Sequence, residues 1–296
     1  MVDFVRLFWR DKARFEHFVV QEKNFAEVDT LFGLHTGQIK YPYRTGFNTM
    51  EVKVTAKYGY VFNSIHKAHN EIHLGEVQNH NDFGYDGICK MIDLIHSKVI
   101  DVNTAKLTQF EFGFNIETPI PAEDIITNNV LMHKTKGPNH TRLFNGRGKL
   151  KQFDHHNYVV KIYDKGKQYN LPSNLLRFEI RFQKSKEFQK FGIYQLDDLK
   201  DKLKLRLLFK YVIERFSELT IVDQIDESLI EQSDLNRLIR YNNPYYWQTT
   251  INRYSATTKM RHLRGYNELL IKYNLLNTKT LLKQLLLDKY LQLINF

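Results

Sequence analysis

Leu107-Thr108-Gln109-Phe110-Glu111-Phe112-Gly113-Phe114-Asn115-Ile116 alternates polar and apolar residues along its whole length. Successive side chains of a strand point to opposite faces. Gln109, Glu111, Gly113 and Asn115 therefore share one face, and Phe110, Phe112, Phe114 and Ile116 take the other. Two later stretches read the same way. In 157–165, Asn157, Val159, Lys161, Tyr163 and Lys165 oppose Tyr158, Val160 and Ile162; in 176–182, Arg177, Glu179 and Arg181 oppose Leu176, Phe178, Ile180 and Phe182. Each strand offers an apolar face for helices and a polar face left over.

Outward from these strands, residues 2–9 and 51–58 also alternate, and the stretch around His66, His69 and His73 is strand-like. Between Gly84 and Val99, Ile88, Met91, Ile92 and Ile95 recur at helical spacing. A short helix is expected from Pro121. The pattern predicts an α+β fold, an antiparallel sheet with helices on one face. From about Leu196 the texture changes: Leu199, Leu203, Leu207, Tyr211 and Val212 mark a long helix, with further helical patterns over 226–241, 260–274 and 278–294. This predicts an α+β domain over 1–190 and an all-helical C-terminal domain over 191–296 that binds DNA or serves as an accessory.

Composition narrows the classes. The chain has 296 residues, 42% hydrophobic and 26% charged, which excludes wholesale disorder. One cysteine, Cys89, excludes an internal disulfide and cysteine-based zinc sites. Asp3 and Arg6 break the apolar run at the N-terminus, so no signal-peptide core is read there and no membrane span is found. A cytoplasmic protein of a bacterial host is expected, with no membrane partner. Lys and Arg exceed Asp and Glu by 43 to 33, a net charge of +10. AT-rich codon usage would spread such a surplus evenly. Instead, fourteen Lys and Arg against four acids fall between Lys134 and Lys190, which points to a polyanion groove.

The polar faces carry the chemistry. If these strands are neighbours, Glu111 and Glu179 would lie on one surface and hold a hard divalent cation, Mg²⁺ or Mn²⁺. Tyr163, between Lys161 and Lys165, would be a nucleophile toward phosphorus. Arg177 and Arg181, with Arg147, Lys149 and Lys151, would hold nucleic-acid phosphates. The competing reading is structural: an antiparallel sheet with one wet face has this pattern, and Arg-x-Glu-x-Arg forms cross-strand ion pairs. Among the twelve histidines no His-x-His occurs; His156, beside a strand, is the candidate third ligand. Asn145-Gly146-Arg147-Gly148-Lys149 lacks P-loop spacing, so nucleotide hydrolysis is unsupported. In the tail, Lys259, Arg261 and Arg264 form a basic cluster for DNA, and Tyr245-Tyr246-Trp247 offers rings for stacking or for core.

The order of Asn63-Ser64-Ile65-His66-Lys67, Asn79-His80-Asn81-Asp82-Phe83, the 107–116 strand, Lys161-Ile162-Tyr163-Asp164-Lys165-Gly166 and Leu176-Arg177-Phe178-Glu179-Ile180-Arg181 resembles the replication initiators of small phages and plasmids, the gene II-type proteins of filamentous phages and their plasmid relatives. The opening Met1-Val2-Asp3 before a strand is similar to theirs. The resemblance covers about residues 1–185. It implies rolling-circle replication: a nick in one strand at an origin through a 5′-phosphotyrosyl link, with single-stranded or origin DNA as partner and a host helicase or polymerase acting afterwards. Glu111 stands where the family usually has Asp, and Glu179 matches its Arg-x-Glu ligand. The family's usual tyrosine position holds Phe144 here, which cannot be a nucleophile. Tyr163 is then the candidate, with Tyr158 on the core side. The alternatives are a non-catalytic DNA-binding replication regulator on the same scaffold and an RNA-binding protein.

Overall fold

The computed structural model describes residues 1–295 except Asn145 and Gly146, and residues 142–144 and 147 through their backbone. In chain order it runs through β1 (Val2–Trp9), α1 (Lys12–Val19), β2 (Asp29–Gly33), β3 (Gln38–Phe47), β4 (Met50–Val54), β5 (Gly59–Ser64), α2 (Ile65–Leu74), α3 (Tyr85–Lys98) and β6 (Lys106–Glu117). It continues through α4 (Ala122–Asp124), β7 (Val130–His133), β8 (His140–Phe144), β9 (Arg147–Asp154), β10 (Tyr158–Asp164), α5 (Lys165–Gln168), β11 (Leu175–Phe182) and α6 (Lys186–Gln189). The remainder is α7 (Lys202–Ser217), β12 (Leu219–Ile221), α8 (Gln232–Asn242), α9 (Ala256–Lys272) and α10 (Asn277–Asn295). The fold is α+β with a large sheet, antiparallel in the pairings described, and a helical C-terminal region, as the alternation predicts. The sheet order is β2-β3-β4-β5-β1-β6-β11-β10-β9-β8.

The backbone divides into two compact units, with the division passing along β6 and β11. The first comprises 1–113, 180–210 and 290–296. Here α2 lies against β1, and α3 against α2. The expected helical spacing holds, since Ile88, Met91, Ile92 and Ile95 are the buried residues of α3. Two expectations change. The strand over 51–58 stops at Val54, where Thr55 accepts from the backbone N–H groups of Lys57 and Tyr58 and turns the chain into β5. The strand-like stretch with His66, His69 and His73 is helical, because Ser64 caps it by accepting from Lys67 N at 3.0 Å and Gly75 closes it in the left-handed region. Strong caps outweigh a short ambiguous pattern.

The second unit comprises 114–179 and 211–289. Its helices α8 and α9 and the segment between them build a core from Leu238, Tyr241, Trp247, Ile251, Tyr266, Leu269 and Leu270, joined by Met132 of β7. The helical run is interrupted by β12, which pairs with β7 in a separate two-stranded sheet. Pairing of β8 with β9 shifts between Leu143 and Phe144, and Gly148 takes φ +66 at that irregularity. A Cβ there would lie 2.6 Å from the carbonyl oxygen of Asp164, so the close approach of β9 needs glycine.

Candidate active site

Glu111 projects from the middle of β6, between the buried Phe110 and Phe112, on the polar face that the parity assigns. Glu179 sits at the equivalent parity on β11, one step from the buried Phe178 and Ile180. The third carboxylate comes from a residue that alternation hides. On a straight β1, Asp3 would share the core face with Val5, Leu7 and Trp9. Pairing with β6 instead runs Val2 to Phe112 and Val5 to Phe110, so three steps on β1 oppose two on β6. The extra residue is a bulge, which re-aims a side chain. One carboxylate oxygen each of Asp3, Glu111 and Glu179 lie within 4.8 Å of one another.

Each acid is held by its own partners. Asp3 accepts from the Ser64 hydroxyl and from Asn79 Nδ2 at 2.5 Å. Ser64 thus joins the N-terminus of α2 to the site. Glu111 has the Arg181 guanidinium at 3.8 Å, and that guanidinium lies 5.0 Å over the Phe4 ring. Glu179 is the most enclosed, 2% exposed, and accepts from Lys161 Nζ at 2.9 Å and Arg177 Nε at 2.6 Å. Burial pushes its carboxyl up, but the charges of Lys161 and Arg177 and their hydrogen bonds outweigh that and hold it well below the usual carboxylate range. Arg177 also donates to Asn115 Oδ1 at 2.9 Å.

Much of the polar face that alternation leaves over is therefore buried, including Asn115, Tyr163, Lys165, Arg177 and Glu179, while Gln109, Glu111, Lys161 and Arg181 are half-buried. Such burial is sustained because the charges are matched inside it. Tyr163 is 3% exposed and its hydroxyl donates to Glu179 Oε2 at 3.4 Å. Lys165 Nζ stands 5.5 Å from the Tyr163 ring centre and 4.9 Å from that of Tyr169. Tyr158, assigned to the core side, is buried and its hydroxyl accepts from Lys134.

The donor set suits a hard divalent cation. It consists of carboxylate oxygens alone, and ligand distances of about 2.0–2.6 Å let one ion reach three oxygens so spaced. His156 is not among the three; it is exposed in the turn between β9 and β10. His66 is buried, stacked on Phe83 and bonded to Asn81 Oδ1 at 2.8 Å, and Asn70 donates to the same oxygen at 2.7 Å. The sequence motifs around 63–67 and 79–83 thus lock to each other through these side chains.

The basic residues separate. Lys151 donates to the carbonyls of Thr127 and Val130, at 3.2 and 2.7 Å, and burial draws its ammonium down. Lys149 is half-buried on β9, and the side chain of Arg147 lies outside the described residues, as does that of Phe144. On α9, Arg261 and Arg264 are exposed about 60° apart around the axis, whereas Lys259 points elsewhere and lines a pocket. Trp247 is core, with Nε1 donating to Tyr241 O at 2.7 Å, and Tyr245 is 69% exposed. Asp3 is the site residue that strand parity misses. Its signal was a charged residue on the register of Val5, Leu7 and Trp9.

No protein-family model and no curated protein matches this chain. Among solved structures it is similar to one described as a rolling circle replication initiator protein from Geobacillus stearothermophilus, at 12% identity and a TM-score of 0.42, covering 78% of this chain and 89% of that one. No described helix is long and apolar enough to cross a membrane.

Proposed function

We propose that the protein initiates replication by nicking one DNA strand with the Tyr163 hydroxyl beside a Mg²⁺ or Mn²⁺ ion held by Asp3, Glu111 and Glu179. The observation that carries this reading is the meeting of three carboxylates with a phenol bonded to one of them. The order of sequence motifs shared with phage and plasmid initiators supports it. A bound divalent ion would polarise the scissile phosphate and offset charge on the leaving oxygen. Tyr163 Oη forms a bond to phosphorus while the P–O3′ bond breaks. The phenol gives up its proton, the departing 3′ oxygen takes one, and the 5′ phosphate stays on the enzyme as a phosphotyrosine. Lys161, Lys165 and Arg177 carry the negative charge that develops on the phenol and phosphate oxygens. Arg181 and the exposed Arg261 and Arg264 hold strand phosphates.

Two observations favour a second reading, a DNA-binding replication regulator without catalysis. Tyr163 is 3% exposed, and Glu179 already has two cationic partners. A single assay separates the two. The protein is incubated with Mn²⁺ and a labelled single strand carrying its replicon's origin, and covalent adduct is resolved on a denaturing gel. Nicking predicts an adduct that Tyr163→Phe abolishes and that Asp3→Asn reduces by about 10²-fold or more, on the scale of losing a group that stabilises charge in the transition state. Strand binding without adduct or cleavage establishes the regulator instead.

A further inference from the structure

The second unit encloses a pocket that the nicking chemistry does not use. Its volume is about 380 Å³, within the range of small-molecule sites. One wall is apolar, with Met132, Leu219, Leu263 and Leu270, and Trp247 and Tyr266 line it as well. Three ammonium groups also line it: Lys134, Lys259 and Lys279. Lys279 gives two of its protons to the carbonyls of Ser217 and Leu219, at 2.8 and 2.6 Å, which leaves the third for a ligand. Burial draws this ammonium down to about 8, with Lys283 nearby adding to the effect, and an anion beside it would raise it again. Lys259 is half-buried and makes no ion pair among the described residues. Glu218 lines the pocket too: its Oε1 pairs with Arg215 at 3.0 Å, and its buried Oε2, with Lys134 Nζ at 3.3 Å and His133 Nε2 at 3.4 Å, accepts no hydrogen bond.

A ligand that answers all three features has a flat apolar body, an anionic group for the lysines and an N–H donor for Glu218. We propose that this pocket binds a nucleotide whose base carries an exocyclic amino group, with its phosphate on Lys259 and Lys279 and its amino group on Glu218. The nucleotide is either free or one residue of a single strand turned out of its stack. The inference stands on the pocket alone. Loss of nicking with nucleotide binding retained would sink the nicking reading only.

The test is calorimetric titration of the full chain with dAMP, dTMP and inorganic phosphate. The expected result is saturable dAMP binding, about tenfold weaker binding of dTMP, which has no amino group to offer the carboxylate, and no saturation by phosphate over the same range. Leu263→Trp, which fills the pocket, is expected to weaken dAMP binding at least tenfold, with unchanged circular dichroism. Lys259→Gln gives the same answer from the half-buried side if the larger residue prevents folding. Equal affinity for dAMP and dTMP, equal affinity for phosphate and dAMP, or binding unaffected by both substitutions overturns the proposal. A single-stranded deoxyadenosine oligonucleotide that displaces dAMP identifies the source as a strand; failure to displace it identifies a free nucleotide.

Discussion

Glu179 shows at residue scale how a buried carboxylate is held by matched charge. It is buried, yet Lys161 and Arg177 reach it with charge-assisted hydrogen bonds. Removing it takes the carboxylate from the half-buried Lys161 and the buried Arg177, which costs about 3–5 kcal/mol. Glu179→Ala is therefore expected to lower the urea midpoint strongly, whereas Tyr163→Phe, which removes one long hydrogen bond, should shift it little. Equal midpoints for the two variants would show that the ion pairs are not what holds this region. His133 and His155 give a pH signature. Their rings are 2.9 Å apart, Nε2 of His155 to Nδ1 of His133. Burial, helped by the neighbouring charge of His155, draws His133 down to about 3; burial, with Lys134, Lys136 and Arg215, draws His155 to about 4. Both are neutral in the fold, and the unfolded chain binds more protons below about 6.5. Their contribution is thus complete above that pH and is lost as pH falls toward 4 and then 3. Melts of His133→Gln against the parent, run from pH 7 to 4, should show the smaller acid loss in the variant; parallel curves would reject this assignment.

At the scale of the element, two irregularities do what regular strands could not. The bulge in β1 turns Asp3 out of the register of Val5 and Leu7 and toward Glu111. The irregularity in β9 needs Gly148, whose φ of +66 is costly for any side chain and whose missing Cβ leaves room for the Asp164 carbonyl. Gly148→Ala is expected to cost about 1–2 kcal/mol for the backbone conformation alone, with the 2.6 Å clash added to it. Thermal unfolding of the variant measures this, and an unchanged midpoint would mean that β9 relaxes freely. The helices α3 and α9 are legible because their apolar residues recur at helical spacing, and α10 because no Gly or Pro interrupts its leucine-rich run. The strand-like reading of the stretch around His66, His69 and His73 gives way to the helix α2, ten residues between the Ser64 and Gly75 caps. Only its caps decided it.

For the whole molecule, the surplus of ten positive charges is distributed between work inside the fold and work outside it. Lys161, Lys165 and Arg177 are consumed internally, and Lys151 holds two carbonyls. Arg261 and Arg264 remain exposed. Replacing both with Gln is expected to weaken single-strand binding and to lower the slope of log K against log salt by about 1.4, at about 0.7 per phosphate contact. Filter binding between 50 and 300 mM salt measures the slope; an unchanged slope would remove α9 from the DNA surface.

The sequence alone determined the α+β class, the strands carrying Glu111, Tyr163 and Glu179, and the helical character of the C-terminal region. Each follows from local periodicity, and a side chain's face is fixed by its position along one strand. Tertiary structure decided the rest: that Asp3 completes the acidic cluster, that His156 stays out of it, and that much of the polar face is buried with charges matched around Glu179. Those outcomes depend on strand register and on which groups neutralise one another, and both are set by contacts between segments far apart in the chain.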